Sequence, residues 1–218
     1  MTTKVVSTDK VTKALAENQP EIRPGMSLQS LLRTDTVRRR FEEVLGKRSA
    51  GFISSIISCQ NASDKLKACD PMTIISAAAM AASLDLPINQ SLGFAHIVPY
   101  KSVASFQIGA KGIYQLAMRS GQYLRINMTE VYEGELVTHD QFTGEMSFDS
   151  AKRTSNKVSG YLLYFKLLNG FEKTMYWSKA KVIKHAEKYS QAYKGSGSSP
   201  WKDVDQFHEM AKKTVLKN

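Results

Sequence analysis

Four cations, Lys101, Lys111, Arg119 and Arg125, are spaced along residues 86–129, a stretch that holds no Asp or Glu. Cations without a neighbouring carboxylate suit phosphate oxygens, which accept charge-assisted hydrogen bonds. At the centre of the stretch, "QIGAKGIYQLAMRSGQ" (107–122) reads as the end of a strand, a Gly-Ala-Lys-Gly turn and a helix over 111–120. Backbone N–H groups at a helix start, with Lys111 beside them, make a phosphate seat. Gly109 and Gly112 would let a sugar-phosphate backbone come close, and Arg119, two turns on, falls near the same face as Lys111. Phe94, Tyr100, Phe106 and Tyr114 alternate with the cations; most read as core, with one or two left to touch bases or sugars. A single lysine reads best as a solvated charge. The whole carboxylate-free run favours a polyanion.

Catalytic constellations are weak by comparison. His96, His139, His185 and His208 are scattered, and no two have metal-ligand spacing. "HEMAK" starts like a zincin helix, but Lys212 stands where the second histidine belongs. Asp203 and Asp205 form a D-x-D near a helix start, where carboxylates ordinarily complement the helix dipole. No G-x-x-x-x-G-K-[ST] loop occurs, so ATP-driven work of the P-loop kind is unsupported; no cofactor and no metal are expected.

Composition agrees. The 218 residues carry 30 Lys+Arg against 20 Asp+Glu, a net charge of +10, which points to nucleic acid ahead of an acidic membrane. No apolar run is long enough to span a bilayer, and "MTTKVVSTDK" lacks the apolar stretch of a signal peptide. Cys59 and Cys69 form no C-x-x-C pair and fit free thiols in a reducing cytosol.

The elements that must position these residues follow from pattern. Residues 1–27 read as a mobile arm, with a weak helix over "KVTKALAEN". A single domain over 28–218 follows, without clear linker or repeat: helical over 28–86, strand-rich over 87–177, and helical again over 178–218. "RTDTVRRRFEEVLG" starts at a Thr/Asp cap and stops at Gly46, and "AGFISSIISCQ" aligns Phe52, Ile53, Ile56 and Ile57. Asp70 and Pro71 open a helix whose Ile74, Ile75, Ala78, Ala79 and Ala82 face one way, ending by Leu86 before Pro87. "GFAHIVPY" and "VASFQIG" flank Lys101-Ser102 as a hairpin, with Pro99 at an edge or bulge. "QYLRINMTEVY" and "FTGEMSF" read as extended. Asn169-Gly170 predicts a type I′ turn between two aromatic-rich strands. "SKAKVIKHAEKYSQAY" returns to helix. The last helix has Ser199 as cap, Pro200 at its first position and a stripe of Trp201, Val204, Phe207, Ala211 and Val215. The fold class is α+β, antiparallel sheet and hairpins packed with helices.

"LDLPINQSLGFAHIVPY", "QIGAKGIYQLAMRSGQ" and "PWKDVDQFHEMAKKT", in that order and spacing, resemble three motifs of the RecT family, the single-strand annealing recombinases of phages and prophages. The resemblance covers most of the chain from about Leu84; the helical region before it fits less distinctively. In the family a further segment and a mobile tail follow the last motif, whereas the sequence ends at Asn218. The resemblance implies a non-enzymatic, ATP-independent protein in the cytoplasm of a bacterial host. Such a protein coats single-stranded DNA, forms homo-oligomeric rings or helical filaments, anneals complementary strands and works with a phage exonuclease. Its ligands are then the single strand and the nascent duplex. On this reading Lys111, Arg119, Lys212 and Lys213 take the first strand's phosphates, Gln107 and Tyr114 line the groove, and Lys101 adds charge to it. Lys152, Arg153 and Lys157, in the basic loop "SAKRTSNK", help clamp the strands or are merely solvated, the two readings being equal. The N-terminal helices are candidate contacts between subunits. Two alternatives stand beside it: a non-annealing nucleic-acid module such as an RNA chaperone or packaging protein, and a metal-dependent nuclease using Asp203, Asp205 and Glu209.

Overall fold

The computed structural model describes residues 25–197 and 199–218. Most of the expected arm, its weak helix included, lies outside the described residues. The chain divides into two compact units, Met1–Gly112 and Ile113–Asn218, together an α+β fold.

The first unit is built on α1 (Leu28–Leu32), α2 (Asp35–Leu45), α3 (Ser49–Asn61), α4 (Asp64–Lys67) and α5 (Pro71–Ser83). Asp70 accepts the Met72 N–H at 2.9 Å and Pro71 supplies the first turn, so α5 starts where expected. The burial is wider than a single stripe: Ala77 and Ala81 join Ile74, Ile75, Ala78 and Ala82 in the interior. Small side chains on most sides of α5 let α1, α2 and α3 pack against it. Ile56 and Ile74 are fully buried, each contributing about 1.5–3 kcal/mol by leaving water. At the start of α2, Thr34 is the cap residue but makes no side-chain cap bond; its hydroxyl donates to Leu31 O at 2.6 Å. Cys59 and Cys69 are buried free thiols, and burial raises both above the ordinary thiol range. The hairpin of β1 (Ala95–Tyr100) and β2 (Val103–Ile108) completes this unit, with Pro99 paired to Ala104 in a two-stranded sheet. The chain passes from one unit to the next within α6 (Ala110–Arg119).

The second unit centres on a three-stranded antiparallel sheet in the order β3 (Tyr123–Tyr132), β6 (Val158–Leu167) and β7 (Glu172–Ser178). Between β3 and β6 the chain makes a small hairpin, β4 (Leu136–His139) with β5 (Met146–Phe148). One sheet face carries α7 (Lys179–Tyr189) and α9 (Val204–Lys217), and Tyr161, Leu163, Val182, Ala186, Trp201, Ala211 and Val215 fill the core between them. The expected helix after β7 breaks at Ser190, whose hydroxyl accepts the Tyr193 N–H at 3.2 Å and opens the short α8 (Gln191–Lys194).

Two local expectations are corrected. The β6–β7 connection is not a type I′ turn, which needs positive φ at two successive residues, because Asn169 is not in that region. Gly170 alone has φ 89°, with Gly170 N–H bonded to Leu167 O at 3.1 Å and Leu167 N–H to Phe171 O at 2.7 Å. That is a three-residue connection with glycine in the left-handed position. The last helix does not start at Ser199 and Pro200. Ser199 closes its own turn, its hydroxyl accepting the Trp201 N–H at 3.3 Å, while Asp203 caps α9 through Gln206 N–H at 2.9 Å. Val204, the first residue of α9, consequently leaves the expected stripe and is 80 % exposed.

Candidate nucleic-acid interface

In the first unit, Lys111 is exposed on the opening turn of α6. The two glycines beside it have a different task from the one expected. A Cβ at Gly109 would lie 2.0 Å from Gly93 O, and one at Gly112 would lie 2.1 Å from Phe94 O. Gly109 N–H donates to Phe94 O at 2.8 Å. The space is thus taken by the chain's own backbone, which locks the lead-in of β1 against the start of α6. Gln107, half-buried on β2, donates its amide to the Tyr100 hydroxyl. Phe94, Tyr100 and Phe106 are likewise half-buried.

Lys101 sits at the other end of β2, roughly 20 Å from Lys111 at about 3.3 Å per residue. The structure therefore does not bring these two cations together. Lys101 is exposed, and its φ of 55° is unusual for a side-chain-bearing residue. The neighbouring backbone holds it there: Asp70 N–H donates to Ser102 O at 2.8 Å, and the Cys69 thiol to Lys101 O at 3.7 Å.

The second unit carries the remaining candidates. Arg119 is exposed in the last turn of α6 and Tyr114 is half-buried on the same helix. Burial raises the Tyr114 hydroxyl above its ordinary range, with the Lys212 charge pulling the other way. Lys212 is less available than its sequence context implies. Its ammonium lies 2.5 Å from Glu209 and 3.5 Å from Glu130. Burial pulls its pKa down, but the two carboxylates outweigh that and raise it. Lys213, the next residue round the helix, is lowered by burial and by Lys217. Neighbours on a helix point about 100° apart, so the two lysines do not share a face.

Glu130 is the residue that sequence reasoning missed. It is the first carboxylate after the empty stretch. From β3 it meets Lys212, accepts the Tyr132 hydroxyl at 3.2 Å and stands 4.0 Å from His208. His208 Nδ1 also lies 3.0 Å from the Tyr161 hydroxyl. Burial first, and Glu130 second, push Tyr161 far above the usual phenol range.

The basic loop is ordered against the β3–β4 connection. Arg153 stacks 3.9 Å above the Tyr132 ring and pairs with Glu135 at 2.7 Å, so its charge is largely committed within the fold. Lys157 stays exposed. Glu135 also accepts the Tyr132 N–H at 2.7 Å. That bond, then Arg153, holds its carboxyl below the ordinary range against the opposing effect of burial. A depressed carboxyl stabilises the fold above its unfolded pKa, about 4.3, and the contribution is lost as pH falls through the lower folded value. Glu135→Ala should therefore lose about 1–3 kcal/mol at neutral pH. Its deficit against the parent protein should shrink in acid. Urea unfolding at neutral pH and near pH 3 measures both; an equal deficit at the two pH values would show that the charge contributes nothing.

Two residues of the nuclease alternative are otherwise engaged. Asp203 caps α9 and Glu209 pairs with Lys212. Among the described residues no group of three His, Cys, Asp or Glu side chains is placed to hold a metal ion, and no helix is long and apolar enough to cross a membrane.

What the fold and these side chains define is a basic α+β protein, with exposed cations on helices, loops and strands. A family model, the RecT family, matches residues 50–218, and the chain belongs to that family. It is 48 % identical over 201 residues to "Uncharacterized protein YqaK" of Bacillus subtilis (strain 168), a match covering 92 % of this chain and 68 % of that protein. It is 26 % identical over 163 residues to "Protein RecT" of Escherichia coli (strain K12), covering 68 % of this chain and 56 % of that one.

Proposed function

We propose that this protein binds single-stranded DNA and anneals complementary strands without ATP, in the recombination its family name denotes. The observation that carries the reading is α6. One ten-residue helix presents Lys111 in its first turn and Arg119 in its last, both exposed, within a segment whose sequence is free of carboxylates. Membership of the RecT family supports it. Of the other candidates, Lys101 and Lys157 keep exposed charges that fit phosphate contacts, and Gln107 and Tyr114 are neutral lining groups. Lys212 and Arg153 act mainly as internal ion pairs that shape the surface, and Lys213 contributes a partly desolvated cation.

The physical logic is that two phosphate backbones repel, and lysine and arginine lower that barrier. Sequence is left to base pairing, so contacts go to phosphates and sugars while base edges stay free. Stacking in the new duplex supplies about 1.4 kcal/mol per base-pair step, enough drive without a fuel. The protein acts as a template and not as an enzyme, in the bacterial cytoplasm. Repetition of one binding surface around a head-to-tail homo-oligomer gives a ring or a helical filament according to closure. An exonuclease that exposes single strands is the partner such a protein needs.

The test is annealing of two complementary oligonucleotides in the absence of nucleotide. The protein should speed their pairing and leave non-complementary oligonucleotides unpaired. An absolute requirement for ATP overturns the reading. Tight binding without acceleration would assign the protein to a non-annealing nucleic-acid module, and cleavage of end-labelled DNA in Mg²⁺ would assign it to the nucleases.

A further inference from the structure

We propose that Tyr123, Phe165 and Phe171 form a stacking ledge for unpaired bases in the second unit, an inference that rests on the single-strand reading above. The three rings run in series across the turn end of the sheet. Tyr123 and Phe165 have centroids 5.8 Å apart at 61°, and Phe165 and Phe171 are 6.0 Å apart at 45°. They lie where the sheet runs past its helical cover. Tyr161 and Leu163 are buried in the core under α7 and α9, whereas Phe165, next on that face, is only half-buried. Phe171 is 53 % exposed and Tyr123 39 %, with Leu124 and Leu168 exposed alongside. Leu168 N–H donates to Gln122 O at 2.9 Å, which ties the β6–β7 turn to the start of β3 and makes the surface continuous.

Charge selects the occupant. Lys173 is the cross-strand partner of Phe165 and shares its face, exposed. The adjacent carboxylate, Glu172, is turned to the opposite face. There it accepts the Tyr164 hydroxyl at 2.6 Å and lies 3.6 Å from Lys166. Open rings flanked by a cation are the arrangement that holds single-stranded nucleic acid without sequence preference, since every base has a π-face. Lysine, by contrast, is depleted from protein–protein interfaces. Stacking also uses base faces and leaves the pairing edges free, which annealing requires.

The test uses the full chain and two ligands of equal length, oligothymidylate and an abasic phosphodiester of the same charge. Phe171→Ala and Tyr123→Ala should each weaken oligothymidylate binding about 5- to 150-fold and leave abasic binding and its salt slope unchanged. Phe171→Trp should keep affinity, and its added indole emission should be quenched by oligothymidylate and not by the abasic strand. The tryptophan variant carries the test if the alanine variants melt early. Unchanged affinity, or equal loss on both ligands, overturns the ledge. So does a change of oligomeric state with affinity per subunit intact, which would assign the surface to a second copy of the chain. If the parent protein binds no single strand, the functional reading itself fails. If it binds and anneals while the variants match it, only the ledge fails.

Discussion

Gly112→Ala should cost about 3 kcal/mol or more, enough to unfold the first unit at temperatures where the parent protein is stable. In an exposed helix the same change gains up to about 1 kcal/mol, because alanine loses less backbone entropy than glycine. Here the new Cβ would meet Phe94 O at 2.1 Å and Ile108 Cγ1 at 2.9 Å. The first contact is backbone and cannot swing aside, so the clash exceeds the propensity gain. Gly51, on α3, is the control: an added methyl there would meet nothing within 4 Å, and Gly51→Ala should be neutral or stabilising. Thermal melting of both variants decides the matter. Equal melting temperatures would mean that the Gly93–Phe94 strand lead-in does not press on α6.

The second large effect concerns DNA. Lys111→Ala and Arg119→Ala, made separately, should each weaken single-strand binding roughly tenfold, as loss of one charge-assisted contact of about 1.5 kcal/mol does. The loss should be similar on oligonucleotides of different composition, because phosphates carry no sequence. Log affinity for the parent protein should fall linearly with log salt, by about 0.7 per phosphate neutralised, and each variant should show a shallower slope. The fold should hold, since exposed charges away from special backbone sites change stability by less than about 0.5 kcal/mol. Parent-like affinity and slope in both well-folded variants would remove α6 from the interface.

How far the site was legible in the sequence depends on how local its causes are. The exposure of Lys111 and Arg119 follows from a short amphipathic helix, a pattern visible in the neighbouring residues. The reason for Gly109 and Gly112 was not visible. It lies in the carbonyls of Gly93 and Phe94, which only the tertiary fold brings close. The pairing of Lys212 with Glu130 likewise joins α9 to β3 across a long stretch of chain. In the sequence Lys212 looks like one of two adjacent free cations. The same division holds for the fold. The β6–β7 hairpin is plain from its aromatic strands and Asn169-Gly170, whereas its turn type is not fixed by those two residues. A glycine beside an asparagine permits positive φ at either residue, and strand register decides which one takes it. The cap of α9 is ambiguous in the sequence because Ser199 and Asp203 are both good caps, and only the structure shows Ser199 occupied with Trp201.

The order of strands in the second unit sets an order of assembly. β6 and β7 meet across a three-residue connection, whereas β3 pairs with β6 only after the chain has gone out through β4 and β5 and returned. Closing that longer loop costs about 1–2 kcal/mol more in chain entropy, at (3/2)RT ln n. Loop closure alone therefore favours the hairpin as the cheaper nucleus, with β3 expected to dock later, against a template already formed. Tyr123 comes with β3, while Phe165 and Phe171 belong to the hairpin. On that order the row of rings is completed only when β3 docks on the hairpin, so a refolding chain should show two of the three aromatic surfaces to solvent before the third arrives to flank them.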